Sequence, residues 1–228
     1  MRRRPIAPPA RAIVLALALI ACSARRDAAP DAGAVLFDGG IAQLVPLHAG
    51  DWFVFVAASG TRGEHLERSE LAATERSDEL LMTVRDGDTE VGRVQLRLGG
   101  DTVRVVSEMD VRSNIGAIYA TPLPLFSVPV RENAHAASAV TLVRVSDGGT
   151  VEEGKVELTI SSSRDPKSGD IVSRVDRQLE LPGGAVPSSH TMWIRPGVGE
   201  IATESANERR LLLCARIGGT PVGQCPPG

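Results

Sequence analysis

The chain has 228 residues, with 25 Lys and Arg against 28 Asp and Glu and a formal net charge of −3. A hydrophobic share of 43% excludes wholesale disorder, and 23 Gly with 15 Pro recur without the period of a collagen. The acidic balance excludes the basic footprint of a nucleic-acid binder, and aromatics at 3% are too few for a base- or sugar-stacking platform.

Arg2, Arg3, Arg4 and Arg11 flank or precede the apolar run Ala12–Ala21. Ten helical residues span about 15 Å, half of a bilayer's hydrocarbon core. The run therefore suits a secretory signal and is too short for a membrane anchor. It ends in Leu19-Ile20-Ala21-Cys22, which resembles the lipobox of bacterial lipoproteins. The resemblance implies cleavage of a signal peptide at residues 1–21, a diacylglyceryl group on the Cys22 sulfur and acylation of the new amine. Ser23 in the next position points to the outer membrane. The competing reading is an ordinary signal peptide with a chance Cys. Without residues 1–21 the chain keeps 21 basic against 28 acidic groups, a net of −7. Anionic headgroups would not attract such a domain, so the covalent lipid must hold it at the membrane.

Residues 22–40, rich in Ala, Asp, Pro and Gly, read as a flexible tether in which Val35, Leu36 and Phe37 are available to dock. Residues 41–218 read as a single antiparallel β domain. Trp52–Val56 is apolar on both faces and predicts a central strand; Leu211–Cys214 predicts another. The segment Glu64–Glu79 is the one place for a helix, although its charges suit a strand equally. Val94, Leu96 and Leu98 alternate with Arg93, Gln95 and Arg97 ahead of a Gly99-Gly100 hairpin signal. The run Ala117–Val130 is apolar but carries Pro122, Pro124 and Pro129, which argues against a central strand and for a rim or closing loop. Val156, Leu158 and Ile160, then Val175, Leu179 and Leu181, resume the alternation. The expected fold class is all-β, an antiparallel meander forming a curved sheet or half-barrel with at most one minor helix.

Cys22, Cys214 and Cys225 are the three cysteines. Acylation of Cys22 leaves one pair in an oxidising compartment, so a Cys214–Cys225 disulfide is expected to tie down a C-terminal tail at 219–228. A redox role would need closer spacing and a thiol-activating environment.

Two segments carry a second resemblance. Val45-Pro46-Leu47-His48-Ala49-Gly50-Asp51-Trp52-Phe53-Val54-Phe55 resembles the Pro-Leu-x-x-Gly-x-x-Trp opening of a group of envelope lipoproteins without an assigned activity. Met192-Trp193-Ile194-Arg195-Pro196-Gly197-Val198-Gly199-Glu200-Ile201 is similar to their late Trp-x-x-Pro-Gly-Val-Gly element. That opening continues Trp-x-Tyr; here Asp51 directly precedes Trp52 and Phe55 stands in for the Tyr. The resemblance implies an exported antiparallel β domain. Trp52 and Trp193 are expected to cap the two ends of one core. With Phe126 they form the candidate ligand-binding set.

No chemical constellation assembles in the sequence. His48, His65, His135 and His190 lack the i, i+4 spacing of a helical zinc site, so no metal and no cofactor is expected. Nucleophile-elbow and phosphate-loop motifs are absent. The expectation is a non-enzymatic, lipid-anchored cell-envelope module, its ligand an apolar molecule in the concave face. The alternative is a structural or protein-interaction lipoprotein without a cavity, whose partner is another envelope protein. Third comes a hydrolase whose dispersed residues bring His65 or His190 to a Ser and an Asp.

Overall fold

The computed structural model describes residues 33–60 and 63–225. The signal peptide, Cys22 and Ser23 lie outside the described residues. Strand β1 (Val35–Phe37) and helix α1 (Ile41–Leu44) precede a long meander. Its strands are β2 (Trp52–Ser59), β3 (Gly63–Ala73), β4 (Glu79–Asp86), β5 (Thr89–Leu98), β6 (Thr102–Asp110) and β7 (Ile115–Ser127). After the short β8 (Val130–Arg131) come β9 (Asn133–Arg144), β10 (Gly149–Arg164), β11 (Ile171–Leu181) and β12 (Gly184–Arg195). The chain ends with β13 (Gly199–Ser205), β14 (Glu208–Ile217) and β15 (Thr220–Gly223).

Thirteen strands share one antiparallel sheet, in which β14 pairs with β2 along one edge and with β13 on the other. That double pairing closes twelve strands, β2–β7 and β9–β14, into a barrel, so the expected curvature is carried to full closure. Closure satisfies the backbone groups that an open meander would leave along two long edges.

Alternation decides which side chains enter. On β2, Phe53, Phe55 and Ala57 are buried between partly exposed neighbours; on β10 the same holds for Val156, Leu158 and Ile160. The outward positions carry ion pairs such as Arg68–Glu70, Lys155–Glu157 and Arg174–Asp176. These strands thus bear charge where a membrane-spanning barrel bears its apolar band.

Several expectations need correction. Glu64–Glu79 is not helical: it holds β3 and the turn into β4, and its Glu67, Ser69 and Leu71 face inward with period two. The proline-containing run is a strand, β7, not a closing loop. Its first half lies between β6 and β9 as far as Tyr119. Beyond that β9 departs, and Pro122 and Pro124 occur where β7 keeps β6 as its ladder partner, so their missing N–H groups cost no cross-strand bond on the open side. The Gly99-Gly100 turn includes Asp101, giving a three-residue connection closed by Gly99 N–H donating to the Thr102 carbonyl.

Residues 35–37, assigned to the tether, form β1 on β8, and the Arg164 guanidinium donates to the Leu36 carbonyl at 2.8 Å. At the other terminus, Gly218 and Gly219 make a two-residue hairpin turn with φ of +54° and +82°, values that suit glycine. The hairpin adds β15 to β14, and Cys225 beyond it is bonded to Cys214 with the Cα atoms 5.3 Å apart.

Candidate functional site

The N-terminal segment runs across one end of the barrel as a strap. Ala34 N–H donates to Glu132 Oε2, the Gly197 N–H donates to the Gln43 carbonyl at 2.7 Å, and Leu44 is fully buried. The second half of the strap lies in the segment Val45–Phe55 and the Pro196-Gly197 turn in the segment Met192–Ile201, and the two meet here. Gly199, at φ +94°, lets Val45 approach so closely that an added Cβ would lie 3.2 Å from its methyl. Asp51 explains its own place in the first segment: its carboxylate accepts from the N–H groups of His48 and Gly218, tying strap, barrel and C-terminal hairpin together.

Behind the strap lies an interior cavity of about 70 Å³. Val45 and Leu47 line it from the strap and Val198 from the β12–β13 turn. Phe53 and Phe55 of β2, Met82 of β4, Leu96 of β5, and Leu125 with Phe126 of β7 form the apolar wall. Three polar groups complete the lining: Ser69 on β3, Glu200 on β13 and Arg210 on β14.

Arg210 is 4% exposed and stacks 4.4 Å above the Phe55 ring. Its guanidinium pairs with Glu67 at 2.8 Å and lies 3.8 Å from Glu200. Burial raises the Glu200 pKa against the opposing pull of Arg210 and of the Thr203 hydroxyl, which donates to the same carboxylate.

A second polar group fills the barrel elsewhere. Arg177 of β11 reaches Glu108 of β6 at 2.9 Å and donates to the Tyr119 hydroxyl of β7 at 2.8 Å, while that hydroxyl donates to Glu108. Burial and the neighbouring Glu108 raise the Tyr119 pKa. His190 lies beside them, its pKa lowered to about 4 by burial and by the Arg177 charge. Glu108 Oε2 and His190 Nε2 are buried without a hydrogen-bond partner.

Of the candidate ligand residues, Phe126 lines the cavity and the two tryptophans do not. Trp52 and Trp193 alternate with the buried Phe53 and with Met192 and Ile194, and so point outward; Trp52 lies 5.0 Å beneath the Arg68 guanidinium. They cap no core. The pleat decides this, since each directly adjoins a buried neighbour. The sequence reading missed Arg210, Glu200 and Ser69. Arg210 sits at an inward position of β14 next to the apolar Leu211-Leu212-Leu213, which was the one available hint.

His65 pairs with Glu67 at 3.7 Å and bonds the Gly63 carbonyl, whereas His190 stands opposite Ser205 of β13 in the ladder. Among the described residues no group of His, Cys, Asp and Glu is arranged to hold a metal ion.

No family model matches the chain, and no curated protein matches it. Two solved structures are similar in fold. One is a Bacteroides fragilis protein described as exported, with a YmcC-like fold, at 10% identity and a TM-score of 0.45. The other is a Parabacteroides distasonis protein described as a lipoprotein, at 10% identity and a TM-score of 0.46. Each comparison covers 74% of this chain and 96% of the other.

Proposed function

We propose that this protein is a lipid-anchored module of the cell envelope, held through Cys22 at the outer membrane, whose barrel binds an apolar molecule without transforming it. The observation that carries the reading is the cavity behind the strap. A barrel of this size has an interior to fill, and here the remaining space is walled by nine apolar side chains at one end. The described strap begins eleven residues after Cys22 in the sequence, which supports a mouth held within reach of the bilayer.

The test uses protein prepared without detergent. Solvent extraction followed by mass spectrometry is expected to recover a lipid, and the delipidated protein is expected to enhance the fluorescence of N-phenyl-1-naphthylamine, a neutral apolar probe. Leu96→Trp, which fills the cavity from β5, is expected to abolish that enhancement. Protein that carries no lipid and leaves the probe dark would overturn the reading.

One observation favours a second reading, a protein-interaction role. Leu66, Val56 and Leu211 stand in register across β3, β2 and β14 on the outer face, with Leu66 45% and Leu211 41% exposed. Crosslinking in intact envelopes that captures one partner protein, lost in Leu66→Lys with Leu211→Lys, would support it.

A further inference from the structure

The cavity behind the strap is small because the strap itself occupies that end of the barrel. Its volume of about 70 Å³ is below the roughly 150 Å³ in which an apolar pocket takes up benzene. Leu44 and Val45 of the strap are 1% and 4% exposed, and Ile41 and Leu47 pack against the same core. These side chains come from outside the barrel, whose ladder closes without them through β14 on β2 and β13. The backbone that carries them is lightly held. Between Phe37, paired with β8, and Gly50, whose N–H donates to the Leu71 carbonyl, it meets the barrel where the Gly197 N–H donates to the Gln43 carbonyl. The N–H groups of Gln43, Leu44 and Val45 turn back to Gly40 and Ile41 within the strap. Gly39-Gly40 precede this stretch and Gly50, at φ +91°, follows it.

We propose that residues 41–47 are a displaceable plug, in which Leu44 and Val45 hold the place of the ligand's apolar chain and leave it when the ligand enters. This rests on the cavity being the ligand site and adds how that site is opened. Exchanging one apolar occupant for another keeps Phe53, Phe55 and Phe126 covered, and no strand of the barrel ladder belongs to the plug, so the sheet stays intact. The apparent affinity is then the intrinsic affinity scaled by the fraction of molecules with the plug out. A four-residue helix has no stability of its own, so α1 gives up its hydrogen bonds once it leaves the barrel.

The experiment locks the plug in place. A Cβ at Gly199 would lie 4.0 Å from the Val45 Cβ, within the roughly 3.5–4.5 Å that a disulfide spans, so Val45→Cys with Gly199→Cys can be joined by oxidation. N-phenyl-1-naphthylamine, a probe larger than benzene, is titrated into the delipidated full-length mature protein. Oxidised, the double variant is expected to bind it at least about tenfold more weakly than after reduction. Gly199→Cys alone, taken through the same two conditions, controls for the Cys214–Cys225 bridge and is expected not to respond. Hydrogen exchange on the unaltered protein decides independently of the lock. The probe is expected to speed exchange at Gln43, Leu44 and Val45 at least about tenfold and to leave β2 and β10 unchanged. Equal probe binding by the oxidised and reduced double variant, or exchange at α1 that the probe leaves unchanged or slows, would overturn the plug while the cavity reading survives. Failure of the probe to bind the unaltered protein overturns both.

Discussion

Arg177 offers the most demanding test of how the barrel is held open and filled. It leaves β11, crosses the interior and ends on Glu108 and Tyr119, on strands separated from its own by β9 and β10. Replacing it by Met keeps the apolar stem and removes the charge, which leaves Glu108, 7% exposed, without its cation. Breaking one side of a buried pair costs about 3–5 kcal/mol. For a domain of this size each kcal/mol shifts Tm by about 2–4 °C, so a fall of roughly 6–20 °C is expected. Tyr119→Phe removes the hydroxyl between the two charges and is expected to cost about 1–3 kcal/mol. Adding Glu108→Gln to Arg177→Met is expected to restore most of the loss, because removing both charges abolishes the uncompensated one. Urea denaturation of the four members of this cycle supplies the coupling. A cost below about 1 kcal/mol for Arg177→Met, or additive single effects, would refute the picture of Arg177 as an interior strut.

Three other expectations follow from particular residues. His190 has a native pKa of about 4, so between that value and its ordinary 6.5 the unfolded chain binds a proton that the native barrel does not. Stability from this residue is complete above pH 6.5 and is lost as pH falls toward 4, by about 3 kcal/mol; His190→Gln is expected to flatten that part of the pH profile relative to the unaltered protein. Gly154→Ala would put a Cβ 2.2 Å from the Glu180 carbonyl oxygen, and urea unfolding is expected to report a loss of about 1–3 kcal/mol. Cys22→Ala is expected to abolish incorporation of labelled palmitate and to release the protein from the membrane fraction; labelling that persists would refute lipidation at this residue.

The β class was legible because period two leaves a strong trace. Val94, Leu96, Val156, Leu158 and Ile160 all point inward as their alternation predicts. Closure was not legible, since it depends on β14 meeting both β2 and β13, contacts between residues far apart in sequence that alternation does not encode. The tryptophans mislead for a related reason. Trp52-Phe53-Val54-Phe55-Val56 is apolar at every position, so composition cannot say which parity is inside. Leu211-Leu212-Leu213 has the same ambiguity, and there a bulge between Leu212 and Cys214 changes the parity along the strand. Arg210 escaped notice because a charged residue beside an apolar run is ordinarily an outward one. The motif segments were visible, but their meeting at the strap was not, because it joins residues 43–45 to residues 197–199.

One geometric fact connects the struts, the strap and the cavity. Eight strands make a barrel that side chains just fill, and twelve make a wider one. Large aromatics are the usual means of filling such width, but the chain has four Phe and one Tyr, and both of its Trp face outward. The interior is instead spanned by the longest side chains available, Arg177 and Arg210, each made tolerable by inward carboxylates on other strands. One open end is closed by a segment from outside the barrel, α1 with Leu44 and Val45. What these devices leave unfilled is the space between Phe53, Phe126 and the strap. A cavity at that position is therefore a consequence of barrel width and poor aromatic content, and its polar corner is the far end of one of the same struts. Arg210 consequently has two effects: it bounds the polar corner of the cavity, and it holds β14 to β3 across β2. Variants there are expected to alter the shape of the cavity and the stability of the barrel together.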